Sequence, residues 1–463
     1  MTKALAARRP GAQSGFTMIE LTVALLAGLI VATGIVALSR EATNTFHEEA
    51  RSSAAEAALR GAIDRLRADI QRAGFMSTGN ITLDPMIAKA PGQPNVVGNA
   101  VKLLPHLQSI HMVSQGSTDT TTMPLSGTNS LSPDLIEIAG NFSTPDLFDV
   151  AIVQPAASGA NCQQITLSPN SPAWLRLKAA EGSTGTGATE LQNVFQPDPK
   201  ARFLVRLVDD TGHTQYLVTC GSSSTSPATG LTAAGWPYVN IDVSGTGTPL
   251  QTAQTTGTVG GISGYAAGKA WLNPVQVVRW QITTAAAVGA NAEPSQFVIA
   301  SQLQNGATVT TDPNKYDLMR TMLDADGNTT AVSEVVAEYA VDMKFAYTID
   351  TSASVLPGAQ PTPKIAIYGF GDQAGIDNTQ QVNGLPTTRP ERIRAVRVRL
   401  TTRTAQPDRL TNIAVAPAYG DSYIYRYCTV VGGCSATTSA LQWARARTVT
   451  TDVALPNQAR SFY

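Results

Sequence analysis

Glu20 is the one charged side chain in an apolar run that extends from Phe16 to Leu38. A carboxylate in a lipid-length stretch is costly and calls for a partner of opposite charge. Immediately before the run stands Gly15. Upstream of Gly15 are Lys3, Arg8 and Arg9, with no acidic residue among them. The chemistry open to such a junction is charge pairing in a medium that solvates neither ion. It needs a cation close to Glu20 and a helix to hold the carboxylate at a fixed depth.

The remaining reactive residue types do not assemble into a catalytic pattern. His47, His106, His111 and His213 are the only histidines. His47 falls on a helical stretch with a surface reading, His106 and His111 are five apart in irregular sequence, and His213 falls in a turn. There is no Gly-x-Ser-x-Gly elbow, Walker loop or His-Glu-x-x-His pair, so no enzyme activity and no cofactor are expected. Asp324, Asp326 and Asn328 resemble the start of a calcium loop, but Gly327 comes at the fourth place and no Glu stands at the twelfth. A tight β-turn is the expectation there. Arg392, Arg394, Arg397, Arg399 and Arg403 could face phosphates, yet Val396, Val398 and Leu400 alternate with them and no stacking aromatics are interleaved. A strand with a solvated outer face accounts for that run.

Cys162, Cys220, Cys428 and Cys434 lack Cys-x-x-Cys metal spacing, so no metal is expected. Four cysteines allow three disulfide connectivities. Pairing Cys428 with Cys434 across a Gly-Gly turn leaves Cys162 with Cys220.

The elements that position these residues follow from periodicity. The run from Phe16 to Leu38, about 23 residues, matches the roughly 20 needed for a membrane-spanning helix. Residues 39–74 continue as an amphipathic helix. Leu59, Ile63, Leu66 and Ile70 fall on one face, extended upstream by Phe46, Ala50, Ala54 and Ala57. Arg60, Asp64, Arg65, Arg67, Asp69 and Arg72 occupy the other faces, and Gly74 is the expected stop. Beyond it, 75–130 reads as irregular. Strands are expected at Asp134–Ile138, Phe203–Val208 with Gln215–Cys220 as a hairpin, and Val275–Thr283, with Val275, Val277, Trp280 and Ile282 buried. Tyr316–Leu323 and Ala337–Ile349 are expected to join across Asp324–Asn328. Arg392–Arg403, Tyr423–Val431 and Trp443–Val453 complete the set. Gly/Ser/Thr-rich inserts are placed near 221–268 and 351–390. The fold class is α+β: one long N-terminal helix packed on a large, mostly antiparallel β domain with long loops.

A basic leader ending in Gly15, then Phe16, then Glu20 five residues into the apolar run resembles the prepilin signal of type IV pilins and type II secretion pseudopilins. The order of the soluble segments resembles the PilW family of minor pilins: the Asp134–Ile138 strand, the hairpin ending at Leu217–Cys220, Arg320 with Val335–Tyr347, and Val396–Leu400. The resemblance implies a leader at 1–15, a transmembrane half at 16–38, a soluble helical half at 39–74, and a β domain at 75–463. It implies that prepilin peptidase cuts between Gly15 and Phe16, that Phe16 is N-methylated, and that Glu20 pairs with the N-terminal amine of a neighbouring pilin. Its partners would be prepilin peptidase, other minor and major pilins, inner-membrane lipid and a tip adhesin. Its place would be the inner membrane with a periplasmic β domain, and after assembly the pilus. There it would prime assembly or cap the tip. A type II secretion tip pseudopilin, and a tip adhesin or DNA-uptake pilin, are alternatives. The membrane half lacks the kinking Pro of many major pilins, which favours a minor pilin or pseudopilin.

Composition agrees with a long-looped β protein: of 463 residues, 14% are charged and 6% aromatic. Removing a leader with three positive charges would take the formal charge from −1 to −4. Such near-neutrality gives no electrostatic footprint for nucleic acid.

Overall fold

The computed structural model describes residues 17–87, 103, 107–114, 133–153, 162–182, 185–210, 212–221, 228–242, 270–283, 316–351, 364–370, 381–382, 385–386, 390–404, 424–428 and 441–458. Gly15, Phe16, His106 and Cys434, the leader, and the side chain of Cys428 lie outside them. The chain divides into two compact units between Ala54 and Ala55.

One helix, α1 (Met18–Gln71, 54 residues), carries the first unit and enters the second. In the first unit its side chains are exposed from Met18 to Leu38, all of them apolar or small except Glu20 and the threonines. In the second unit, Leu59, Ala62, Ile63, Leu66 and Ile70 are buried at the i, i+3, i+4 spacing of one face. The stripe therefore begins at Leu59. Phe46 is 68% exposed, and Ala50, Ala54 and Ala57 are exposed as well. Periodicity extended the stripe upstream because it registers the apolar face and not whether anything covers it.

The strands in chain order are β1 (Ile110–Val113), β2 (Leu135–Gly140), β3 (Phe148–Val153) and β4 (Cys162–Leu167). Two short helices follow, α2 (Pro172–Ala180) and α3 (Ala188–Phe195). Next come β5 (Leu204–Asp209), β6 (Thr214–Val218), β7 (Thr229–Leu231), β8 (Pro237–Asp242), β9 (Ala270–Thr283), β10 (Asp317–Leu323), β11 (Thr329–Ala337), β12 (Ala340–Asp350) and β13 (Ile365–Tyr368). The last are β14 (Gln381–Val382), β15 (Leu385–Pro386), β16 (Ile393–Arg403), β17 (Ile424–Cys428) and β18 (Leu441–Ala454).

Among the described residues, β1 to β11 form one sheet and β13-β12-β16-β18-β17 a second, and all their strand pairs are antiparallel. The 14-residue β9 is the seam of the first sheet. Its beginning pairs with β3 and β5, and its end with β2 and β10. Pro274, which has no N–H to give, sits between the stretches taken by β3 and β2.

The helix stripe packs into apolar faces of both sheets. Ile136 and Ile138 of β2, Val278, Trp280 and Ile282 of β9, Phe345 and Tyr347 of β12, and Val396, Val398 and Leu400 of β16 share its core. The fold is α+β, as expected. Gly74 adopts φ 71° just past the helix end, a conformation glycine enters without steric cost. Its N–H donates to the Ala139 carbonyl at 2.9 Å. Gly140 lets β2 approach the helix end: a Cβ there would come within 2.6 Å of the Arg72 carbonyl oxygen.

Several sequence expectations shift. Asp324–Asn328 does form a tight turn, but it joins β10 to β11, and β12 follows as a separate strand across Tyr339. The stretch 221–268 is not only loop. It supplies β7 and β8, and β8 zips along β4 from Cys162 to Thr166. The stretch 351–390 likewise supplies the edge strand β13, against β12. The irregular 75–130 contains β1. Helices α2 and α3, not foreseen, cover a second core built around Phe148, Trp174 and Phe195.

Candidate functional site

The first turn of α1 is closed by its own side chains. Thr17 stands at the N-cap and Glu20 at the third helical position. Glu20 Oε2 accepts hydrogen bonds from the Thr17 amide at 3.0 Å and the Thr17 hydroxyl at 2.9 Å. The Glu20 amide in turn donates to Thr17 Oγ1 at 3.3 Å. This is a reciprocal capping box, which satisfies two of the donors that every helix N-terminus leaves open. The Thr-x-x-Glu spacing signals it in the sequence, and it gives Glu20 a role within its own chain. Both accepted bonds use Oε2, so among the described residues no bond occupies Oε1.

C-terminal to this cap the helix is long and apolar enough to cross a membrane, and none of its most apolar window is buried. Leu21, Leu25, Leu29, Ile30, Val36 and Leu38 are all exposed. Contiguous apolar surface on that scale marks a lipid or protein contact. Thr22 and Thr33 keep their hydroxyls off that surface by donating back to the Ile19 and Leu29 carbonyls.

In the second unit several of the described charged side chains pair with one another. Asp69, which the sequence places off the apolar stripe, is 4% exposed. Its Oδ2 accepts from Trp280 Nε1 at 3.0 Å and Arg320 Nε at 2.6 Å. Arg320 also lies 3.5 Å from Glu334, which Arg65 reaches at 3.3 Å. Glu137 is held between His111 Nδ1 at 2.8 Å and Arg279, whose Nε and Nη2 both point to Oε1. Burial alone would raise the Glu137 carboxyl, but the His111 bond and the charges of His111 and Arg279 bring it down to about 2.

The arginine run follows the same rule. Arg397 makes a two-pronged contact with Asp452 of the neighbouring strand. Arg399 bonds Asp342 at 3.2 Å and stacks over Phe370. Arg403 is buried between Tyr339 and Tyr425. Arg394 donates to the carbonyls of Glu391 and Gln458. Each of these four guanidiniums has a partner within the chain.

Asp324 ties the β10–β11 turn by accepting from the Asp326 and Asn328 amides, and Asp326 pairs with Arg202 at 2.6 Å. No group of three or more metal-ligating side chains occurs among the described residues. His213 lies 3.6 Å from Asp209 in the β5–β6 turn, and His47 is exposed. A disulfide joins Cys162 to Cys220, tying the start of β4 to the end of β6 across 58 residues of chain.

No protein-family model, curated protein or solved structure matches this chain.

Proposed function

We propose that the chain is a minor pilin of a type IV pilus, anchored through the apolar run of α1 and assembled with other pilins near the fibre tip. The observation that carries this reading is an uncovered apolar helix whose first turn holds a carboxylate, directly after the Gly15–Phe16 junction. The basic leader favours a cytoplasmic N-terminus. The Cys162–Cys220 disulfide favours an oxidising compartment for the β domain, which a periplasmic location provides.

The capping box supports the assembly role assigned to Glu20. One carboxylate oxygen serves the helix, and the other remains to receive the methylated Phe16 amine of a neighbouring subunit. The mechanism is non-enzymatic: helices associate in lipid and the β domain sets the order of subunits.

The test is mass spectrometry of the mature N-terminus after expression with prepilin peptidase. A chain that starts at methylated Phe16 is expected, and a Gly15→Leu variant is expected to retain the leader. A mature protein that starts anywhere else would overturn the reading. Loss of surface fibres and twitching on deletion, with enzyme secretion intact, separates the pilus from a type II secretion machine.

A further inference from the structure

Lys344 and Asp134 are the most deeply buried ion pair among the described residues. Their side chains are 2% and 1% exposed, and Lys344 Nζ lies 2.9 Å from Asp134 Oδ1. They are 210 residues apart in the chain. The Asp134 backbone is pinned by donation to the Met343 carbonyl at 2.8 Å. Its second oxygen, Oδ2, accepts from the Phe345 amide at 3.1 Å. Asp342 lies two residues before Lys344 on the same face of β12 and is equally buried, with Oδ2 on Arg399. Asp342 Oδ1 has no hydrogen-bond partner among the described residues.

We propose that Lys344 and Asp134 condense into an intramolecular isopeptide bond, with Asp342 relaying the proton and the Phe345 amide holding the developing oxyanion. The geometry supplies the contact between amine and carboxyl and the oxyanion donor that this reaction needs. The amine and the carboxyl are held in contact, which removes most of the entropic cost of meeting. They are out of water, and in the proposed first step one proton passes from the Lys344 ammonium to Asp134 Oδ1 across their 2.9 Å contact, which leaves a nucleophilic amine beside a protonated carboxyl. The amine attacks the Asp134 Cγ. Negative charge gathers on Oδ2, where the Phe345 N–H already points. Oδ1 leaves as water.

The balance closes without any co-reactant. An ammonium and a carboxylate become one amide and one water, and no electrons are transferred. The cluster holds two acids and two bases before the reaction. Afterwards it holds Asp342 and Arg399, still paired, so no buried charge is stranded. Burial pushes the Asp342 carboxyl up, against the pull of Lys344 and Arg399, which suits a group that must take up and return a proton. The product would fasten the start of β2, in the first sheet, to the middle of β12, in the second.

The inference does not depend on the pilin reading. Its test is the intact mass of the full-length chain purified in detergent, reduced so that the disulfide does not contribute. A mass lower than the sequence requires by one water is expected, with a protease-resistant peptide pair linking Asp134 to Lys344. Lys344→Arg, which cannot condense in this way, is expected at its full calculated mass. An Asp342→Asn variant is expected to form the bond more slowly after refolding, and Asp342→Glu to recover part of the rate. Wild-type protein at its full calculated mass, with no linked peptide, would reduce the site to a buried ion pair and overturn the proposal, whether or not any variant folds. Water loss that maps to Asp134 without Lys344 would overturn it equally.

Discussion

Replacing Asp69 with Ala removes the one acceptor shared by Trp280 and Arg320 at the centre of the helix–sheet interface. The side chains of Asp69 and Arg320 are 5% and 11% exposed, so water cannot replace the lost carboxylate. Breaking a buried pair by deleting one member costs about 3–5 kcal/mol, mostly because the survivor is left uncompensated. Arg320 would keep Glu334, at 3.5 Å and half exposed, and the Phe142 ring beneath it, and the Trp280 N–H would lose its acceptor. The expected destabilisation of Asp69→Ala is therefore about 4 kcal/mol. Arg320→Met alone should cost a similar amount by leaving the buried Asp69 carboxylate without a counter-charge, held by the Trp280 N–H. The double variant Asp69→Leu, Arg320→Met leaves no buried ion and should cost clearly less than the two single changes together. Urea unfolding of the full chain in detergent, followed by the fluorescence of Trp280 among the tryptophans, gives the three midpoints. A single variant within about 1 kcal/mol of wild type, or a double variant equal to the sum of the singles, would refute the reasoning.

Three further outcomes follow from named contacts. Glu137 is depressed from its ordinary 4.5 to about 2, so its contribution, about 3 kcal/mol, is present above pH 4.5 and is lost as pH falls toward 2. Glu137→Gln should flatten the stability–pH curve in that window, and an unchanged curve would count against the His111–Glu137–Arg279 cluster. Reducing the Cys162–Cys220 bond, which closes 58 residues of chain, should lower stability by about 4 kcal/mol on the chain-entropy account, seen as a fall in unfolding midpoint with reductant that Cys162→Ser lacks. On the pilin proposal, Glu20→Ala should leave leader cleavage intact and reduce incorporation into sheared fibres, and undiminished recovery would refute a pairing role for Glu20.

What could be read from the chain, and what could not, follows from where the signal resides. The helix stripe at Leu59–Ile70 and the stop at Gly74 were legible because both are local: a period of 3.6 and a residue that tolerates positive φ. The β5–β6 hairpin was legible for the same reason. Helices α2 and α3 were missed because each is short, 9 and 8 residues, and packing more than periodicity sustains them. Pro172 at the start of α2 was the available clue. β9 is buried on both faces from Leu272 to Val278, which erases alternation, and Pro274 interrupts the strand signal, so Ala270–Pro274 does not show as strand. β11 alternates too weakly to be distinguished from the turn before it, so that turn was joined to the wrong strand. The burial of Asp69 was beyond reach, since Trp280 and Arg320 stand 211 and 251 residues away. At the N-terminus the Gly15–Phe16–Glu20 spacing points to chemistry between subunits, while the capping box shows only when Thr17 and Glu20 are taken together as Thr-x-x-Glu.

The placement of β9 has a consequence for how this chain is made. Strands β2, β3 and β5 all leave the ribosome before the segment they zip onto, and β10 comes after it. Until residue 283 has been synthesised, β2 and β5 lack the neighbour with which each forms its longest ladder. Unpaired edges of that kind template the wrong association. A nascent molecule of this sequence thus passes through an interval in which β2 and β5 each carry an open edge. Productive closure awaits the arrival of a single fourteen-residue spine.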